Sequence, residues 1–274
     1  MTSGKRGARS PGSADSFSLV DFMGQSIAIG ESELKKLLCD PTELFSRAVQ
    51  PILWLVVFGQ VFSRVRGIPT GNMSYLTFMC PGILAQSVLF SAIFYGIAVI
   101  WERDLGIVHK LLVSPSYRGA LVFGKAISAG FRGLIQALII YVIASLMRIE
   151  INFSPQAVLG VFLSVVLGSA IFSTFSLIIA CVVKTRERFM GIGQVLTMPL
   201  FFASNAIYPL ELMPAWLLAF ARINPLTYLV DILRALMIQG GHSAYGIVFD
   251  VIVLGLIYAV LVIVASKLYP TLIQ

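Results

Sequence analysis

Tyr75–Ile100 reads YLTFMCPGILAQSVLFSAIFYGIAVI, and Trp101–Lys125 follows it with WERDLGIVHKLLVSPSYRGALVFGK. The first stretch has no Asp, Glu, Lys or Arg. It is also longer than the roughly 20 apolar residues that cross a bilayer as a helix. Such a run leaves no polar face for water, so it reads as a membrane helix. The second stretch opens on an acid–base cluster, Glu102, Arg103 and Asp104. It continues through a short amphipathic segment, Ile107–Val113, turns at Ser114–Pro115, and reaches Lys125 where a new apolar run begins. The pair reads as a span followed by a small helix lying along the membrane face, with Lys125 placed at the headgroups on re-entry.

The same pattern recurs along the chain. Apolar residues make up 58% of the sequence and charged residues 12%, against about 25% charged in a soluble domain. Mean hydropathy is +0.90. The runs Arg47–Phe62, Tyr75–Ile100, Ala126–Met147, Pro155–Val183, Phe189–Tyr208 and Ile247–Ser266 read as spans. They are too long and too continuous for barrel strands, which alternate over about 10 residues. Only helices and closed barrels satisfy the backbone in lipid. The expected fold is therefore an all-α integral membrane protein with six transmembrane helices.

Basic residues set the orientation. With the N-terminus in the cytoplasm, Arg64, Arg66, Arg148, Arg222 and Arg234 fall outside and the other fifteen of the 20 fall inside. That asymmetry follows the positive-inside rule. Arg132 is counted inside because its side chain is expected to snorkel there. Both termini are then cytoplasmic. The net charge of +7 is explained by topology and anionic headgroups, without a nucleic-acid partner.

Residues 1–16 are rich in Gly, Ser and Arg, without the apolar core of a secretory signal, and read as a disordered cytoplasmic tail. Over residues 17–40, Phe17, Val20, Met23, Ile27, Leu34 and Leu38 fall near helical spacing between charged residues. This segment is too charged to span and is expected to lie in the interface. It ends at Asp40–Pro41, because proline disfavours helical geometry in the residue before it. Residues 41–274 form the transmembrane domain.

Pro199, Pro209, Pro214 and Pro225 interrupt the chain before the last span. A re-entrant helix pair is expected there, from Pro214 to Phe220 and from Leu226 to Ile238. Trp216 and Tyr228 suit the interface. Asp231 and Arg234 are three apart and can pair on one helix face.

Several chemistries are excluded. Cys39, Cys80, Cys181, His109 and His242 are scattered, so neither a metal site nor catalytic residues are expected. Gly119–Ala126 approaches the phosphate-binding pattern G-x-x-x-x-G-K-[ST] but ends on Ala, which cannot ligate Mg²⁺, and no strand precedes it. No cofactor is expected in this chain. The sequons at Asn72 and Asn152 are patterns common by chance. An ion-gradient-driven transporter or channel remains the alternative. It would place ionisable groups in mid-span, whereas the reading here puts only Arg132 inside a span, near its cytoplasmic end.

Two motifs resemble the permease subunit of ABC-2 type exporters, in the branch containing daunorubicin-resistance and nodulation permeases. One is Glu102-Arg103-Asp104-Leu105-Gly106 running into Leu111-Leu112-Val113-Ser114-Pro115; the other is Asn224-Pro225-Leu226-Thr227-Tyr228-Leu229-Val230-Asp231 followed by Leu233-Arg234. Asp104 stands where the family usually has Glu, and His109 departs from its pattern. The resemblance implies an exporter subunit of a bacterial inner membrane, without an ATPase site of its own. Its partners would be two copies of a separate ATPase subunit carrying ATP and Mg²⁺, and a second permease, forming a homodimer. A coupling helix over about residues 102–115 would seat Glu102, Arg103, Asp104, Gly106, Leu111, Leu112, Ser114 and Pro115 against the ATPase. Both carboxylates are read as exposed there. A path gated by the fifth spans would involve Phe201, Phe202, Asn205, Tyr208, Asn224 and Pro225. The implied substrate is amphipathic: a drug, a lipid or a lipid-linked glycan.

Overall fold

The computed structural model describes residues 49–63, 73–106, 118–183 and 185–269. The tail, the expected interfacial helix and residues 107–117 lie outside them, as do Leu111, Leu112, Ser114 and Pro115. We label the helices α1 (Val49–Val61), α2 (Tyr75–Asp104), α3 (Arg118–Leu146), α4 (Pro155–Val182), α5 (Arg186–Phe202), α6 (Ala215–Ile223), α7 (Pro225–Met237) and α8 (Ile247–Leu268). No sheet strand occurs among the described residues, where one isolated bridge joins Ile151 to Ile238.

Local chemistry sets where the helices start. Ser74, Ser154 and Thr185 each accept a hydrogen bond from the main-chain N–H three residues on, at the heads of α2, α4 and α5. Two of these caps are the serines of the sequon-like triplets. Asn224 caps α7, with Pro225 in the first helical position, where its missing N–H costs nothing.

Four helices, α2, residues Val122–Leu146 of α3, α4 and α8, are long and apolar enough to cross a membrane. The α6–α7 pair, bent by 82° at Asn224, makes a fifth if counted as one span. The expected break in the helix is thus present, as either a broken span or a re-entrant pair. The other two expected spans correspond to shorter helices. The fifth does not run to Tyr208: α5 stops at Phe202 after 17 residues. Its length is about 25 Å at 1.5 Å per residue, short of a hydrocarbon core of about 30 Å. Pro199 lies in its last turn, and Ser204 Oγ donates to the Phe201 carbonyl at 2.7 Å, ending the helix. The chain beyond is irregular, but Ser204, Asn205 and Ala206 are buried. Irregular backbone survives at membrane depth only under such cover.

α2 and α4 form the centre. α2 packs on α3, α4, α5 and α7, and α4 also meets α3, α7 and α8. The most apolar window of α2 is 72% buried within the protein, whereas that of α8 is 11% buried. α8 therefore presents most of its apolar surface outward. Small residues let the central helices approach. At Gly96, an added Cβ would collide with Ser176 and Phe189. Its main-chain N–H donates to Ser176 Oγ at 3.0 Å, while that hydroxyl donates to the Ile93 carbonyl.

Candidate functional site

α2 delivers the charged cluster to one end of the bundle. Gly106 adopts φ +72 and its N–H donates to the Arg103 carbonyl at 2.9 Å, which closes the helix. Glycine tolerates that left-handed conformation at little cost. Residues two apart on a helix point about 200° apart, so Glu102 and Asp104 meet different surroundings. Asp104 is exposed, bonded to Arg103 at 3.1 Å and to Arg186 at 2.9 Å. The Arg186 guanidinium lies 3.5 Å from the Trp101 ring centroid, tying the head of α5 to the end of α2.

Glu102 corrects its sequence reading. It is 8% exposed and forms an ion pair with Lys125 Nζ at 2.6 Å. Lys125 is therefore buried against α2 and held by a protein partner. Arg132 is buried as well, 4.7 Å from the Tyr95 ring centroid. In both cases a partner inside the bundle replaces the water that each cation would otherwise seek. Tyr269 is buried beside this cluster, and burial pushes its phenol up to about 12. Gly119–Ala126 lies within α3, so its amides are helical and do not form a phosphate cradle.

The opposite end holds the second group. Arg234 is buried, donates to the Asn205 carbonyl at 2.6 Å and lies 4.0 Å from the Phe78 ring centroid. It anchors the irregular segment after α5. Asp231 and Arg234 interact electrostatically, but their direct bonds go to other partners. Asp231 Oδ2 accepts from Ser243 Oγ at 2.8 Å, and from the N–H groups of Ala244 at 2.7 Å and Tyr245 at 3.2 Å. Ser243 Oγ also lies 2.8 Å from Asp250 Oδ2 and accepts the Gly246 N–H at 2.6 Å. Sequence reasoning passed over Asp250, a fully buried acid in the first turn of the last apolar run. An acid inside such a run is the signal that could have found it. Trp216 is exposed as expected, but Tyr228 is buried and donates to the Arg222 carbonyl at 2.5 Å.

The expected gate residues divide. Phe201 is fully buried, with its ring 5.7 Å from Trp54 and 5.3 Å from Phe202 by centroids. Phe202 is exposed, and its carbonyl accepts from the Tyr208 hydroxyl. Asn205 is buried under Arg234. Asn224 and Pro225 alone among the six line a cavity of about 420 Å³ between α4, α5, α8 and the α6–α7 break. Its walls include Phe172, Phe175, Leu200, Phe220 and Ile257.

A bundle of long apolar helices with a charged helix end at one pole and a broken helix pair at the other is the build of a multi-pass membrane protein. The match to known proteins names the family. Residues 24–238 match ABC-2 type transporter, and the chain belongs to that family. It is 30% identical over 207 residues to the putative transport permease ycf38 of Cyanophora paradoxa, covering 75% of this chain and 70% of that protein. It is 24% identical over 234 residues to the probable doxorubicin resistance ABC transporter permease protein DrrC of Mycobacterium tuberculosis, covering 85% and 83%. Nodulation protein J of Bradyrhizobium diazoefficiens is 24% identical over 185 residues, covering 67% and 68%.

Proposed function

We propose that the chain is the membrane-spanning subunit of an exporter driven by ATP hydrolysed on separate subunits. In this reading two copies of the chain pair with two ATPase subunits in a bacterial inner membrane. The Glu102 end faces the cytoplasm, as do both termini. The substrate is amphipathic: a drug, a lipid or a lipid-linked glycan.

The observation that carries this reading is the construction of the α2 end. Asp104 stands outward, braced by Arg103 and Arg186, directly before the 107–117 segment. Glu102 and Lys125 join the two stems of that segment by a buried ion pair. ATP binding moves a permease only through an element that contacts the ATPase differently in two states. A braced stem transmits such a displacement into α2 and α3 together. Phe201 and Phe202 at the end of α5, Asn205 and Tyr208 in the irregular segment after it, and the Asn224–Pro225 break would form the gate.

The test is co-purification with an ATPase subunit encoded nearby, followed by ATPase measurement in liposomes across a panel of amphiphiles. Stimulation that needs this chain supports the reading. Transport that runs on an ion gradient with no ATPase present would establish the alternative. Its ionisable groups would be Asp231 and Asp250, which are buried but bonded to the 243–246 turn.

A further inference from the structure

The cavity of about 420 Å³ has a chemistry of its own. Its volume falls within the roughly 300–1,000 Å³ usual for small-molecule sites. Such sites normally add a few polar groups that orient the ligand. Among the described wall residues Asn224 is the sole polar side chain, and each end of its amide already makes a bond within the protein. Its Nδ2 donates to the Leu200 carbonyl at 2.6 Å, and its Oδ1 accepts from the Leu226 N–H at 3.0 Å. The wall therefore offers an occupant aromatic and aliphatic carbon, from Phe172 and Phe175 on α4 to Ile257 on α8. Water finds too few partners in such a space, and apolar cavities stay dry or take apolar guests.

The position of the mouth says where a guest comes from. Phe220 and Ile223 are wall residues yet 63% and 78% exposed. The flanking surfaces of α5 and α8 expose Val195, Met198, Leu256 and Val260. α8 is long and apolar enough to span and the α6–α7 pair is the broken one, so the rim of the mouth is apolar helix surface, which admits hydrocarbon more readily than water.

We propose that this cavity is a hydrocarbon-chain site. It takes one alkyl or acyl tail of an amphiphile sideways from the bilayer, while the head group stays outside. A free sugar or a small ion has nothing to bind there. The tail has two sources, a bilayer phospholipid or a single-chain amphiphile on its way out. Only the second rests on the exporter reading, because binding of a chain requires neither ATP nor a partner.

Photolabelling of the purified, membrane-reconstituted chain tests the site. Two probes are used, a palmitic acid and a phosphatidylcholine, each with a diazirine in its acyl chain, and labelled residues are mapped by mass spectrometry. Labelling at Phe172 and Phe175 should saturate with probe, whereas labelling at lipid-facing Leu256 and Val260 should rise in proportion to it. Ala203→Trp and Ile257→Trp fill the space from two different elements. Each should cut cavity labelling severalfold and leave the lipid-facing labelling unchanged, which also reports that the variant is folded. Saturation with both probes identifies a site open to bilayer lipid; saturation with the fatty acid alone identifies a single-chain site. Non-saturating cavity labelling, or labelling that both Trp variants leave intact, overturns the proposal. Loss of cavity labelling in a dimeric fraction overturns it too, because a second copy then fills the mouth. None of these outcomes depends on ATPase activity, so the site and the exporter reading stand or fall separately.

Discussion

Glu102 and Asp104 belong to one charged cluster, yet the α-helical turn sends one inward and the other outward. Their substitutions should therefore separate. Glu102→Ala leaves Lys125 buried without its carboxylate and should destabilise the protein by about 3–5 kcal/mol, the usual cost of removing one partner of a buried pair. Replacing both by apolar residues, Glu102→Leu with Lys125→Met, should recover most of that loss. Thermal unfolding in detergent reads both, and equal stability of the single and double variants would contradict the buried pair. Asp104→Asn, by contrast, should leave unfolding almost unchanged, because exposed pairs contribute little. It should reduce ATPase docking and substrate-stimulated hydrolysis. A joint change at both positions, the natural choice from sequence, would mix folding with coupling.

Asp231 and Asp250 carry a second residue-scale prediction. Ser243 has one hydroxyl hydrogen and two carboxylates at 2.8 Å. Asp231 already accepts two main-chain N–H groups besides. Asp231→Ala removes the shared acceptor of three part-buried donors and should cost about 1 kcal/mol, the usual net worth of a hydrogen bond. Asp250→Asn brings its own amide hydrogens to Ser243 and should be close to neutral. If the two variants melt together, the hydrogen-bond assignment fails.

At the scale of elements, Asn224 has two tasks. Its carbonyl oxygen caps α7, and its amide holds the Leu200 carbonyl near the end of α5. Asn224→Asp keeps the cap and loses the donor. Asn224→Ala loses both, with the cap alone worth about 0.5–2 kcal/mol. Stability should therefore fall in the order wild type, Asp, Ala. Protease sensitivity at the α5–α6 connection should rise in the same order, and an Asp variant indistinguishable from wild type would mean the Leu200 bond is idle. The helix break itself was readable beforehand. Pro214 and the Asn224–Pro225 pair bracket α6 and α7 because proline and capping side chains act on the backbone beside them. The end of α5 was less readable. The run 201–208 is interrupted only by Ser204 and Asn205, and what stops the helix at Phe202 is a bond from Ser204 together with burial of the turn by Arg234.

For the whole molecule, the basic-residue asymmetry predicts that the two ends lie on opposite sides of the membrane. In a background lacking Cys39, Cys80 and Cys181, Leu105→Cys should react with an impermeant thiol reagent only from the cytoplasm, and Glu150→Cys only from outside. Both positions are exposed. Reaction of both from one side would break the assignment of α3 as a crossing helix, and the reverse pattern would invert the orientation.

The amino-acid sequence by itself determined that this chain is a bundle of membrane helices, where most of them begin, and that a helix pair breaks at Asn224. Those features follow from apolar run length, capping and proline, all of which act within a few residues. Partners of the buried charges were decided only by the tertiary structure. Lys125 reaches Glu102 across 23 positions, and Asp231 meets the turn that also receives Asp250. The apolar cavity was decided there too, because its walls come from α4 to α8. A buried ion pair or an apolar cavity between helices depends on how distant helices are rotated and set against one another, and no local window of sequence contains that register.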